Sequence, residues 1–144
     1  MLSVGIVTIM LGLSGPAAAF AADSPVIAIT KVSSQPLPLA FGGGDVVYAY
    51  IVTNPGTIAL SNVSVTDNSC NPVFGPEGDV NRNNMLDTNE TWFFACRANV
   101  LTTTSGTATA TGSSSGLTVQ TITTNTVVVS TPSFPSTGFA PETN

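Results

Sequence analysis

Apolar and polar residues alternate with period two in short runs, and each run is closed by glycine, proline, asparagine or serine. The runs are VIAITKVS (26–33), DVVYAYIVTN (45–54), SNVSVTD (61–67), TWFFACRANV (91–100), GTATATG (106–112) and a C-terminal pair within LTVQTITTNTVVVS (117–130). Alternation at this period places successive side chains on opposite faces of a strand, and no segment beyond residue 22 holds apolar residues at helical spacing over ten positions. Seven or so strands of this length predict an all-β chain folded as an antiparallel β-sandwich. The intervening stretches Gly42-Gly43-Gly44-Asp45, Asn54-Pro55-Gly56, Asn71-Pro72 and Ser113-Ser114-Ser115-Gly116 carry turn chemistry.

Two runs say more about their surroundings. In 91–100, Trp92, Phe94, Cys96 and Ala98 share one face while Phe93, Ala95 and Arg97 share the other, so Trp92 is expected in the core. In 45–54, Val46, Tyr48, Tyr50 and Val52 form one face, and Val47, Ala49 and Ile51 make the opposite face apolar as well. A sheet face open to water is normally polar. Strand 45–54 is therefore either a central strand partly covered by a loop or a strand on which another subunit packs.

The ends differ in composition from the middle. Residues 1–21 contain no charged side chain, and the apolar run from Val4 to Leu13 ends at Ser14-Gly15-Pro16. This reads as a secretory leader, with Ala19-Phe20-Ala21 as the cleavage site and a mature start at Ala22, or else as a retained apolar segment. Gly5, Gly12, Gly15 and Pro16 argue against a membrane span. Residues 22–130 form the sandwich, and 131–144, TPSFPSTGFAPETN, form a proline-rich tail.

Charge narrows the function. Only 8% of the 144 residues are charged, there is no His, and the three cations are Lys31, Arg82 and Arg97. No basic stripe exists to neutralise phosphates, which argues against nucleic acid as a partner. Without His the usual neutral-pH acid or base is missing, so catalysis is not expected. Cys70 and Cys96 are the only cysteines, too few for a zinc site without His. In an exported chain they predict a disulfide closing a loop of 26 residues (96 minus 70), with two buried free thiols as the alternative.

The sharpest signal lies inside that loop. DVNRNNMLDTNE (79–90) holds three of the eight carboxylates and four asparagines. Counting Asp79 as position 1, side-chain oxygens fall at 1 (Asp79), 3 (Asn81), 5 (Asn83), 9 (Asp87) and 12 (Glu90), and Met85 at 7 can offer its carbonyl. This is the ligand spacing of an EF-hand Ca2+ loop: a hard cation takes six to eight oxygens and uses a bidentate carboxylate at position 12. Asn84 stands at the sharp turn, where Asn tolerates left-handed backbone, and Leu86 is placed to anchor the loop in the core. A ligand charge of only three predicts modest affinity, roughly 0.1 to 1 mM. The alternative is a solvated loop of Asx turns.

The combination of VVYAYIVTNPGTIALSNVSVTDNSC with GDVNRNNMLDTNETWFFAC resembles the DUF11 family of bacterial and archaeal surface proteins over about residues 26–130. The family pattern reads roughly as a tyrosine-rich strand, TNPG, a NVxVTD strand, Cys, GDxNxDGxLDxxETW and a second Cys. This chain departs from it at Asn83 and Asn84, where the pattern has Asp-Gly. The resemblance implies an immunoglobulin-like extracellular module that is calcium-associated and disulfide-bonded, with a structural or adhesive role. Phe134-Pro135-Ser136-Thr137-Gly138 is similar to the LPxTG signal of sortase substrates, without the apolar stretch and basic stop that normally follow.

Together these features give the expected function: a subunit of an extracellular filament or cell-surface coat, partnered by copies of itself or the cell wall. The second expectation is a monomeric wall-anchored adhesin. Lys31 is the only lysine. It has three readings: a solvated strand residue, an accessible amine that a sortase joins to Thr137 of the next subunit, or the donor of an internal isopeptide bond to an Asn such as Asn125, as in pilin domains that this fold resembles.

Overall fold

The computed structural model describes residues 23–34 and 38–133. Seven strands form: β1 (Ala28–Ser33), β2 (Gly44–Thr53), β3 (Ser61–Asp67), β4 (Phe74–Glu77), β5 (Thr91–Val100), β6 (Thr104–Ser114) and β7 (Leu117–Val127). They build two antiparallel sheets, one of four strands in the order β1-β2-β5-β4 and one of three in the order β3-β6-β7. The β-sandwich expected from the alternation is the fold observed.

Two strand assignments need correction. The expected C-terminal pair within 117–130 is one strand, β7, paired residue by residue with β6 from Ser114↔Leu117 to Thr104↔Val127. Ser115 and Gly116 both take positive φ (50° and 79°), as a two-residue hairpin of matching twist requires, and this turn fixes the register. The second correction is β4. FGPE has neither alternation nor β-branched residues, and it becomes a strand because the edge of β5 pairs with it at Phe74↔Ala95 and Glu77↔Phe93.

The inward faces meet in one core. β2 contributes Val46, Tyr48, Tyr50 and Val52, each 0–1% exposed. β5 adds Trp92, Phe94 and Cys96, and the opposite sheet presents Val65, Ala108, Ala110 and Val127. Ala98, expected on the buried face of β5, is only partly buried.

β2 is an interior strand, as one of the two readings of its pattern required. Its outer face nevertheless stays apolar and open: Val32 of β1, Val47 of β2 and Phe93 of β5 are 44%, 36% and 48% exposed, and Phe74 of β4 is 66% exposed. Cross-strand pairing sets Val32 and Phe74 in one row, Val32-Ala49-Ala95-Phe74, and Phe93 in the adjacent row, Thr30-Ile51-Phe93-Glu77, while Val47 pairs with Arg97 at the margin of the patch.

Candidate metal loop and a buried lysine

The 79–90 segment connects β4 to β5 and is pinned at three places. Leu86 is fully buried and exchanges two backbone hydrogen bonds with Leu60, Leu60 N–H to Leu86 O at 3.1 Å and Leu86 N–H to Leu60 O at 2.7 Å. It is the core anchor that the spacing predicted. Asn54, itself 3% exposed, donates from Nδ2 to Leu86 O (3.0 Å) and to Ile58 O (2.7 Å). Its Oδ1 accepts the Gly56 N–H (2.9 Å). The sequence marked Asn54 only as a turn residue; its second task, holding the loop to the β2–β3 connection, has no local signature. The third pin is the disulfide between Cys70 and Cys96, with Cα atoms 6.0 Å apart and both residues buried.

Within the loop the side-chain oxygens turn inward on their own backbone. Asp79 accepts the N–H of Asn83 (3.2 Å) and Asn84 (2.9 Å), Asn81 Oδ1 accepts that of Asn83 (3.0 Å), and Asn83 Oδ1 accepts that of Met85 (2.7 Å). These Asx turns coil the chain tightly, and Asn84 takes the left-handed conformation expected of it (φ 58°), as does Arg82 (φ 59°). The Nδ2 groups of Asn81 and Asn83 both donate to Asp87 Oδ2, at 2.8 and 3.0 Å. Asp79, Asn81, Asn83 and Asp87 are thereby gathered in one hydrogen-bonded group.

Glu90 is set deeper. It is 6% exposed, and its carboxylate accepts N–H from Val80 (2.9 Å), from Asp87 (3.4 Å) and from the Trp92 indole (3.1 Å). The ion pairs formed among the described residues are Lys31–Asp67 and Arg97–Asp45, so none of the loop's three carboxylates is paired with a cationic side chain. A buried carboxylate without a countercharge is costly, and hydrogen bonds offset that cost only in part. The donor set of carboxylate, amide and carbonyl oxygens is of the type a hard cation takes. Among the described residues no three His, Cys, Asp or Glu side chains stand close enough to hold a metal by themselves. The fit therefore depends on the two Asn side chains turning their oxygens, in place of Nδ2, toward the centre now bridged to Asp87.

Lys31 departs from two of its three readings. Its side chain is wholly buried, with Nζ 2.7 Å from Asp67 Oδ2, 3.3 Å from Ser69 Oγ and 4.2 Å from the centroid of the Tyr48 ring. It is not a solvated strand residue, and in the folded chain its amine is not accessible to an enzyme that would join it to Thr137. Thr137 and Gly138 lie outside the described residues, as does the leader. Asp67 is equally enclosed: Oδ2 also accepts the Tyr50 hydroxyl (2.9 Å), while Oδ1 accepts Ser69 N–H (2.8 Å) and Ser69 O–H (2.7 Å). Burial pushes the Asp67 carboxyl up, but the donors from Lys31, Ser69 and Tyr50 outweigh it and hold the group below the ordinary carboxylate value. Burial, aided by Asp67, drives the Tyr50 hydroxyl far above its usual range.

No family model and no curated protein matches the chain.

Proposed function

We propose that the chain is a structural subunit of an extracellular filament or cell-surface coat, a sandwich held by its disulfide and by Ca2+ in the 79–90 loop. The observation that carries this reading is the open apolar face of the β1-β2-β5-β4 sheet, where Val32, Phe74 and Phe93 are exposed in two adjacent cross-strand rows with Val47 at their margin. Apolar side chains clustered on an otherwise polar Ser/Thr/Asn surface favour association. The disulfide is compatible with an oxidising, extracellular compartment, and no helix of the described residues is long and apolar enough to cross a membrane. The resemblance to DUF11 surface modules and the sortase-like tail point the same way. Electron microscopy of native surface material, looking for regular fibres or a lattice containing this chain, tests it.

A second reading, a monomeric wall-anchored adhesin, is favoured by a different feature. A groove of about 620 Å3 opens where the C-terminal segment leaves the sandwich, lined by Phe41, Leu101, Thr103, Val129 and Pro132 among others. Phe41 and Leu101 are 72% and 63% exposed there. A ligand-binding display module would use such a groove and remain dispersed in solution.

A further inference from the structure

Asn125 is the one inward group among the described residues left without a hydrogen-bond partner. Its Oδ1 is buried and accepts nothing. An unpartnered buried carbonyl is destabilising and calls for an explanation. Asn125 lies on β7 directly opposite Gly106 of β6, and Gly106 is buried on the core side of its strand. A Cβ on Gly106 would stand 2.8 Å from Lys31 Nζ and would collide with the Ser69 side chain. Residues paired across antiparallel strands hold their Cβ atoms about 5 Å apart, so Lys31 Nζ sits within one side-chain length of the Asn125 carboxamide. β1 and β7 pack against each other along this edge of the sandwich. A primary amine, a carboxylate that bonds it at 2.7 Å and a carboxamide whose buried oxygen is unpartnered thus share one corner of the core.

We propose that Lys31 and Asn125 join in an internal isopeptide bond, formed with Asp67 as the proton carrier. Asp67 Oδ2 takes a proton from the Lys31 ammonium, and the neutral amine attacks Cγ of Asn125. The protonated Asp67 carboxyl donates to Oδ1 as charge develops on it, which gives that oxygen the partner it lacks. Collapse breaks the Cγ–Nδ2 bond, and Nδ2 leaves as ammonia with the proton shed by the attacking nitrogen and relayed through Asp67. One C–N bond forms and one breaks, nothing is oxidised or reduced, and no co-reactant is consumed. Fixed proximity and the buried, low-dielectric setting of Lys31 and Asp67 supply the acceleration. The bond would tie the edge strand of one sheet to the edge strand of the other, so tension applied near the two ends of the chain would bypass most of the sandwich. It rests on burial and register, independently of the filament reading.

Mass spectrometry of the full chain, reduced and digested with trypsin, tests the bond. Trypsin has three sites, after Lys31, Arg82 and Arg97. The expected result is no cleavage at Lys31 and a branched species joining the peptide that ends at Arg82 to the one that begins at Ala98, lighter than their sum by one ammonia. Asn125→Ala should restore cleavage at Lys31 and release both peptides at their unmodified masses. Cleavage at Lys31 in the wild-type chain overturns the proposal. So does a water-loss product joining Lys31 to Asp67 with the Ala98 peptide free, or a branch that survives in Asn125→Ala. The wild-type masses decide the matter even where the variant fails to fold.

Discussion

Lys31 Nζ and Asp67 Oδ2 meet at 2.7 Å with both side chains shut off from solvent, one on the first strand of the four-stranded sheet and the other at the end of β3 in the facing sheet. The pair bridges the two layers through their common core. Around it stand Tyr48, Tyr50 and Ser69, which supply a ring face and two hydroxyls. A buried pair of this kind adds little over an apolar substitute, yet removing one partner strands the other charge.

In Asn125→Ala, where Lys31 keeps its ammonium, Asp67→Asn should therefore lower unfolding free energy by about 3 to 5 kcal/mol in urea titration. The same background should show an acid limb. Asp67 in the folded chain titrates below its unfolded value of about 3.9, so its stabilisation is complete above that value and is lost as pH falls through the folded one. Stability measured from pH 6 downward should stay level to about pH 4 and then decline, and Asp67→Asn should flatten that decline.

The disulfide closes a separation of 26 residues that includes the whole 79–90 loop. Chain-entropy arithmetic assigns it about 3.5 kcal/mol. The Cys70→Ala, Cys96→Ala double variant should unfold at correspondingly lower denaturant with an altered m-value, because its unfolded chain is more expanded. An unchanged midpoint would show that the loop is held by Leu86 and Asn54 alone.

Calcium gives a sharper contrast. A ligand that binds only the folded loop adds RT ln(1 + [L]/Kd), about 1.4 kcal/mol at ten times Kd. Chelator should lower the melting temperature, and Glu90→Gln should remove the difference between chelator and calcium. Identical melts of the wild type in the two conditions would exclude the ion.

Five strands, the buried faces of β2 and much of β5, and the disulfide were legible because each is a local or nearly local property: period two, or two cysteines with no third to compete. β4 was not, since FGPE acquires strand form only from the exposed edge of β5. β7 was mistaken for a pair because the polar run Thr123-Thr124-Asn125-Thr126 resembles a break. In the fold Thr124 and Thr126 face solvent, bonding Thr107 and Ser105, while Asn125 turns inward. Lys31 shows the limit best. Ile27, Ile29 and Lys31 stand at period two and so share a face, but the burial of Lys31 depends on Asp67, and nothing near Asp67 in sequence announces that it lies opposite. In the metal loop the ligand spacing and the Leu86 anchor could be read, whereas the Asn81 and Asn83 amides donating to Asp87 could not.

Ile51 and Phe93 are cross-strand partners on the open sheet face, with Ile51 between the fully buried Tyr50 and Val52. An aspartate at either position should spare the core and place a charge where a second copy would pack. Immunogold electron microscopy of cells bearing the wild-type chain or the Ile51→Asp, Phe93→Asp variant tests the structural role most directly. The filament reading predicts regular labelled fibres or a labelled lattice for the wild type, and folded, dispersed protein for the variant. Wild-type label spread singly over the surface, or fibres unchanged in the folded variant, would contradict it.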